Sequence, residues 1–139
     1  MTSLDSLPTW ILSSASTRTH QILQAALGRA GYTGYEYRCL AALAEGEGLS
    51  QAQLGQLAAL DPRDVTHTLR TLEDRALVSR AKDPDHGRRM RVSLTSAGKR
   101  AVKRLGAVMA EIQDDAFGSL TKEELATLLR LLSRIGSPG

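Results

Sequence analysis

Cys39 is the only cysteine in this 139-residue chain, which excludes an internal disulfide and any C-x-x-C pair for a metal or a redox couple. The three histidines lie far apart and no cluster of carboxylates accompanies them. That leaves no catalytic triad, no metal-ligand spacing and no phosphate-binding loop, so neither an enzyme nor a metal or cofactor is expected. Long apolar runs are missing as well. The polar stretch 13–20 interrupts any leader-like segment, and no window approaches the length of a membrane span. A cytoplasmic location and no membrane partner are the simplest expectations.

What is present is aliphatic and basic. Apolar residues make up 42% of the chain, enough for a folded core at the size of one compact domain. The formal charge of +3 is mild, and it permits a nucleic-acid partner without demanding one. Its distribution is more telling: Arg75, Arg80, Lys82, Arg88, Arg89, Arg91, Lys99, Arg100, Lys103 and Arg104 face only Asp83 and Asp85 across the stretch 75–104.

The chain is organised around 49–78, which reads as two short helices. Ser50 and Gln53 have the S-x-x-Q spacing of a capping box, and Asp61-Pro62 places a side-chain acceptor at an N-cap before a residue with no N–H to satisfy. In the second helix, taken as 61–75, Val65, Leu69 and Leu72 recur at helical spacing toward a core. Arg63, Thr66, His67 and Arg70 fall on the other side. A helix-turn-helix needs such a pair to place its second helix in a DNA major groove, although a helical hairpin with solvated charges has the same pattern.

The residues after the helix pair favour the DNA reader. Leu77–Ala81 and Met90–Thr95 suit two strands, with Pro84 and Gly87 turning the chain between them. The hairpin carries a basic tip at 82–90, able to lay Arg88 or Arg89 along phosphates. Around this core, helices are expected over Leu4–Ala30, from Thr33/Glu36 to about Gly46–Gly48, from Thr95 or Ser96 to about Phe117, and from Thr121/Glu124 through Ile135. The expected class is mainly α with a small β-hairpin wing: a winged helix-turn-helix over 33–95, and a helical dimerisation region over 1–32 and 96–139. The terminal helices have more apolar surface than one small winged helix covers, which a second copy of the chain would bury.

The element order, with the phrases TLEDRALVSR and DPDHGRRMRVSLTSAGKRA, resembles the MarR family of bacterial transcriptional regulators. Leu72-Glu73, Leu77-Val78, Asp83-Pro84, Arg88 and Leu94-Thr95-Ser96-Ala97-Gly98 match the family pattern. Ala76 stands where a glycine is usual, and His86 where an aspartate usually pairs with the wing arginine; Asp85 is close enough in sequence to substitute. The resemblance implies a homodimer straddling a pseudo-palindromic operator in double-stranded DNA. Half-sites would lie on the order of 34 Å apart. Ser50 and Gln51 would hold phosphates, Arg63, Thr66, His67 and Arg70 would reach bases or adjacent phosphates, and Arg88 and Arg89 would serve the wing. Thr66 can touch a thymine methyl or donate a hydrogen bond.

The resemblance also implies release by a small phenolic or carboxylic effector, for which Ser16, His20, Tyr35 and Tyr37 are the candidate contacts, or a response to oxidation, for which Cys39 is the candidate. A winged helix that binds protein and no specific DNA is the remaining alternative.

Overall fold

The computed structural model describes residues 3–46, 48–85 and 87–137. A short 3-10 turn, Leu4–Ser6, precedes α1, Pro8–Ala30. The helix expected from Leu4 therefore starts at Pro8, because a residue before proline is pushed out of the helical region and Leu7 is extended (φ −88°, ψ 121°). The hydroxyl-rich centre of α1 stays helical, with the Thr17 and Thr19 hydroxyls donating back to the Ser13 and Ser16 carbonyls. Gly31 closes α1 in the left-handed region (φ 92°).

Helix α2, Gly34–Ala44, opens on the Thr33/Glu36 capping box. Helix α3, Gln51–Ala58, opens on Ser50/Gln53, and α4, Pro62–Asp74, opens on Asp61, whose carboxylate accepts from the Asp64 N–H. The wing strands are β1, Val78–Lys82, and β2, Met90–Leu94, antiparallel with Val78 opposite Leu94 and Lys82 opposite Met90.

The first strand begins one residue later than expected. Leu77 still belongs to the turn that follows α4, its N–H donating to the Leu72 carbonyl and its own carbonyl accepting from the Thr95 N–H. That same carbonyl lies 2.0 Å from where a Cβ on Gly98 would sit, so only glycine fits there. Ala76, at the position the resemblance gives to glycine, adopts φ 59° and carries the strain of the left-handed region. Leu49 adds a third, one-residue edge to the sheet, exchanging both backbone hydrogen bonds with Val92.

The chain continues as α5, Ser96–Phe117, capped by Thr95, and α6, Lys122–Leu132, opened by Thr121/Glu124; the last helix stops short of Ile135. One core joins these parts: Leu27 of α1, Leu40 and Leu43 of α2, Leu54, Val65, Leu69, Leu72, Val92 and Leu105 are all buried. Among the described residues no helix is long and apolar enough to cross a membrane.

Candidate nucleic-acid interface

Val65, Leu69 and Leu72 anchor α4 in the core, at most 1% exposed, so the other side of the helix must face out. Arg63, Thr66, His67 and Arg70 are placed on that side, and all four are exposed. The wing tip lies beyond β1, and Arg88 and Arg89 are exposed there. Asp85 makes no ion pair with Arg88. Its N–H donates to the Asp83 carboxylate at 2.9 Å, which closes a local turn. His86 lies outside the described residues. The Arg89 carbonyl accepts from Asp83 at 2.8 Å and closes the tip.

Three elements are stitched together on this side by residues that sequence spacing does not bring together. Arg80 of β1 pairs with Glu73 of α4 and lies 3.5 Å from the Gln51 side-chain oxygen. The Gln51 amide donates to the Thr66 hydroxyl at 2.6 Å. Arg80 is the residue that sequence reasoning missed; its only signal was its place in TLEDRALVSR, three residues past Leu77. Ser50 and Gln51 sit at the start of α3, with the Ser50 hydroxyl committed to the Gln53 N–H and Gln51 committed to Thr66. Two carboxylates stand at the start of α4. That of Asp64 is raised above the usual carboxylate range by local desolvation, with Asp61 adding to the rise and His67 and Arg63 opposing it.

Behind α4, Arg75 joins the reading head to the rest of the chain. It bonds the buried Glu36 at 2.8 Å and lies over the Tyr32 ring, 4.3 Å from its centroid. Arg104 of α5 approaches the same ring at 5.7 Å and donates to the Ala30 carbonyl at the end of α1.

The four candidate effector contacts are not brought together within one protomer. Ser16 and His20 lie on α1, and Tyr35 is exposed beside Arg38. Tyr37 lines a cavity of about 420 Å³ with Leu23, Leu27, Arg38 and Met109. A larger cavity of about 630 Å³ opens behind the wing, where Lys82, Arg91 and Lys99 meet Leu43, Leu94 and Val102. No carboxylate lines it among the described residues. Cys39 is fully buried, and burial pushes its thiol up to about 11 despite the nearby Arg38. At neutral pH about one molecule in ten thousand would carry the thiolate that oxidation needs.

Comparison with known proteins agrees with this geometry. A family model described as the MarR family matches residues 30–89. An HTH-type transcriptional repressor of Mycobacterium tuberculosis is 33% identical over 115 residues, which span 83% of this chain and 83% of that protein. Among solved structures, a probable transcriptional regulator from Pseudomonas aeruginosa is similar with a TM-score of 0.84 and 34% identity, over 96% of this chain and 99% of that one. The PcaV transcriptional regulator from Streptomyces coelicolor, solved in complex with its natural ligand, is similar with a TM-score of 0.80 and 26% identity, over 97% of this chain and 95% of that one.

Proposed function

The chain belongs to the MarR family of transcriptional regulators, and from that premise we propose that it is a homodimeric, non-catalytic repressor that grips a pseudo-palindromic operator and releases it to a small organic anion. The observation that carries the reading is the stitched surface. Thr66 of α4, Gln51 of α3 and Arg80 of β1 are bonded into one polar face that continues to the exposed wing arginines. In this reading α4 enters the major groove with Arg63, Thr66, His67 and Arg70, while Arg88 and Arg89 hold phosphates beside it. Ser50 and Gln51 sit at the start of α3, where its first N–H groups offer a further phosphate seat.

The regions 1–32 and 96–139 supply the dimer interface, and 33–95 the DNA reader. The effector seat best supported is the cavity behind the wing. Lys82 and Lys99 there suit a phenolate or carboxylate, the aliphatic residues suit a ring, and the cavity's position against β1 and β2 would let an occupant move the wing. The relative solved with its natural ligand supports this class of regulation by similarity.

Selection of duplexes from a random pool by the purified protein tests the reading. An inverted repeat should emerge. Affinity for it should fall linearly on a log–log plot against salt, with a slope of several units as counterions leave the contacted phosphates. Benzoate and phenol derivatives should displace the duplex from the protein but not from Lys99→Gln. Enrichment of no repeat, with binding equal to that of random duplex, would overturn the operator reading.

A further inference from the structure

The hydrogen bonds that stitch α3, α4 and β1 have a forced direction, which decides what Thr66 has left to offer. A carboxylate only accepts and a guanidinium only donates. Arg80, held by Glu73, therefore turns donors toward Gln51, whose side-chain oxygen lies 3.5 Å from Nη1. With its oxygen on that side, the amide must aim its NH2 the other way, and Nε2 donates to Thr66 Oγ1 at 2.6 Å. Oγ1 accepts there, so its single proton goes to the Pro62 carbonyl, 2.9 Å away and one turn back in the helix. The one donor that the hydroxyl owns is spent inside the protein. A helical threonine ordinarily splits between two rotamers, and the bond from Gln51 selects one of them.

We propose that Thr66 reads DNA through its methyl group, packed against the C5-methyl of one thymine in each half-site, and that Gln51 and Arg80 are positioning residues that hold it there. This rests on the reading of α4 as the groove-entering helix. A freely rotating threonine would donate to any acceptor in the major groove, including guanine O6 and N7, adenine N7 and thymine O4. A locked one has no donor left and keeps one lone pair and its methyl, and thymine alone among the four bases offers a methyl to meet the latter. Gln51, expected from sequence to hold a phosphate, thus acts on base preference from the neighbouring helix.

The test uses the duplex selected from the random pool, with each thymine of a half-site replaced in turn by deoxyuridine. That change removes the methyl and keeps O4 and the base pair. One position per half-site should weaken binding by the wild-type protein about fourfold, the worth of one buried methyl group. Thr66→Val keeps the methyl and should show the same drop at the same position, whereas Thr66→Ser should be indifferent to deoxyuridine there. Gln51→Ala should shrink the thymine-to-deoxyuridine ratio at that position, a signature that the loss of a phosphate contact, which weakens both duplexes alike, would not give. A ratio of one at every thymine, or discrimination kept by Thr66→Ser and lost by Thr66→Val, overturns the methyl reading while leaving the operator reading intact. Failure to enrich any sequence overturns both.

Discussion

Helices α4 and α6 look alike as patterns and behave oppositely as structures. Both are capped at the start by a side-chain oxygen, and both carry an apolar stripe with a polar back. In α4 the stripe is finished inside the protomer, where Val65, Leu69 and Leu72 are sealed. In α6 no residue is buried, and Leu129, Leu131 and, just beyond its end, Ile135 are 54%, 42% and 57% exposed. Trp10 and Ile11 near the start of α1 are exposed in the same way. Periodicity states that a helix has an apolar face; it does not state whether the cover comes from the same chain. The stripe of α4 is covered within the chain, by a core to which Leu27 of α1 and Leu105 of α5 also belong, and the stripe of α6 is not.

The strongest way to break that contrast is to charge the open stripe. Leu129→Glu combined with Ile135→Glu should leave the protomer folded, since neither side chain is in its core, and should convert a dimer to monomers in sedimentation. Operator affinity should fall on the order of 1000-fold, because two linked reading heads gain that much over one when both half-sites are engaged. A variant that remains dimeric and binds normally would show that the cover of α6 lies elsewhere.

Next in size is the sealed stripe. Leu69→Ala removes a fully buried side chain and should cost about 3 kcal/mol of folding stability in urea titration. The same truncation at Leu129, measured on a monomeric background carrying Ile135→Glu, should cost under about 0.5 kcal/mol. Equal costs at the two sites would erase the distinction between the helices.

Much of this was legible in the sequence, for reasons that are local. Capping boxes at Thr33/Glu36, Ser50/Gln53 and Thr121/Glu124 need three residues of context, and all three form. The outward set Arg63, Thr66, His67 and Arg70 follows from helix geometry once Val65 and Leu69 face inward. What was illegible depends on how elements cross. The Leu49–Val92 bridge joins residues far apart in the chain, and strand alternation alone does not reveal that Arg80 reaches both Glu73 and Gln51. Ser16, His20, Tyr35 and Tyr37 shared only polarity and nearness in sequence. Of the four, Tyr37 lines the cavity beside Leu23, Leu27 and Met109. The wing was read correctly as a hairpin, but among the described residues Asp85 and Arg88, adjacent to the same turn, form no ion pair.

The smallest effect belongs to the joint between the two regions. Arg75 ends α4, yet its partners are Glu36 and Tyr32, at the opening of α2, and Arg104 ties the same Tyr32 ring to α5 and the end of α1. The guanidinium is about one-third exposed, so the ion pair is partly screened and the loss of Arg75→Gln should be about 1 kcal/mol of stability. Its effect on DNA should exceed what that figure alone predicts, because the pair fixes the end of the recognition helix to the scaffold that a dimer would hold rigid. Operator binding should weaken by about fivefold under conditions where the protein stays fully folded, and the loss should be equal for operator and deoxyuridine-substituted operator, since tilt and not base contact is disturbed. Arg75→Lys keeps the charge near Glu36 but gives up the flat stacking on Tyr32, and it should recover stability better than it recovers binding. If both variants bind as the wild type does, the reading head is positioned by its own core, and the two regions are more independent than this joint implies.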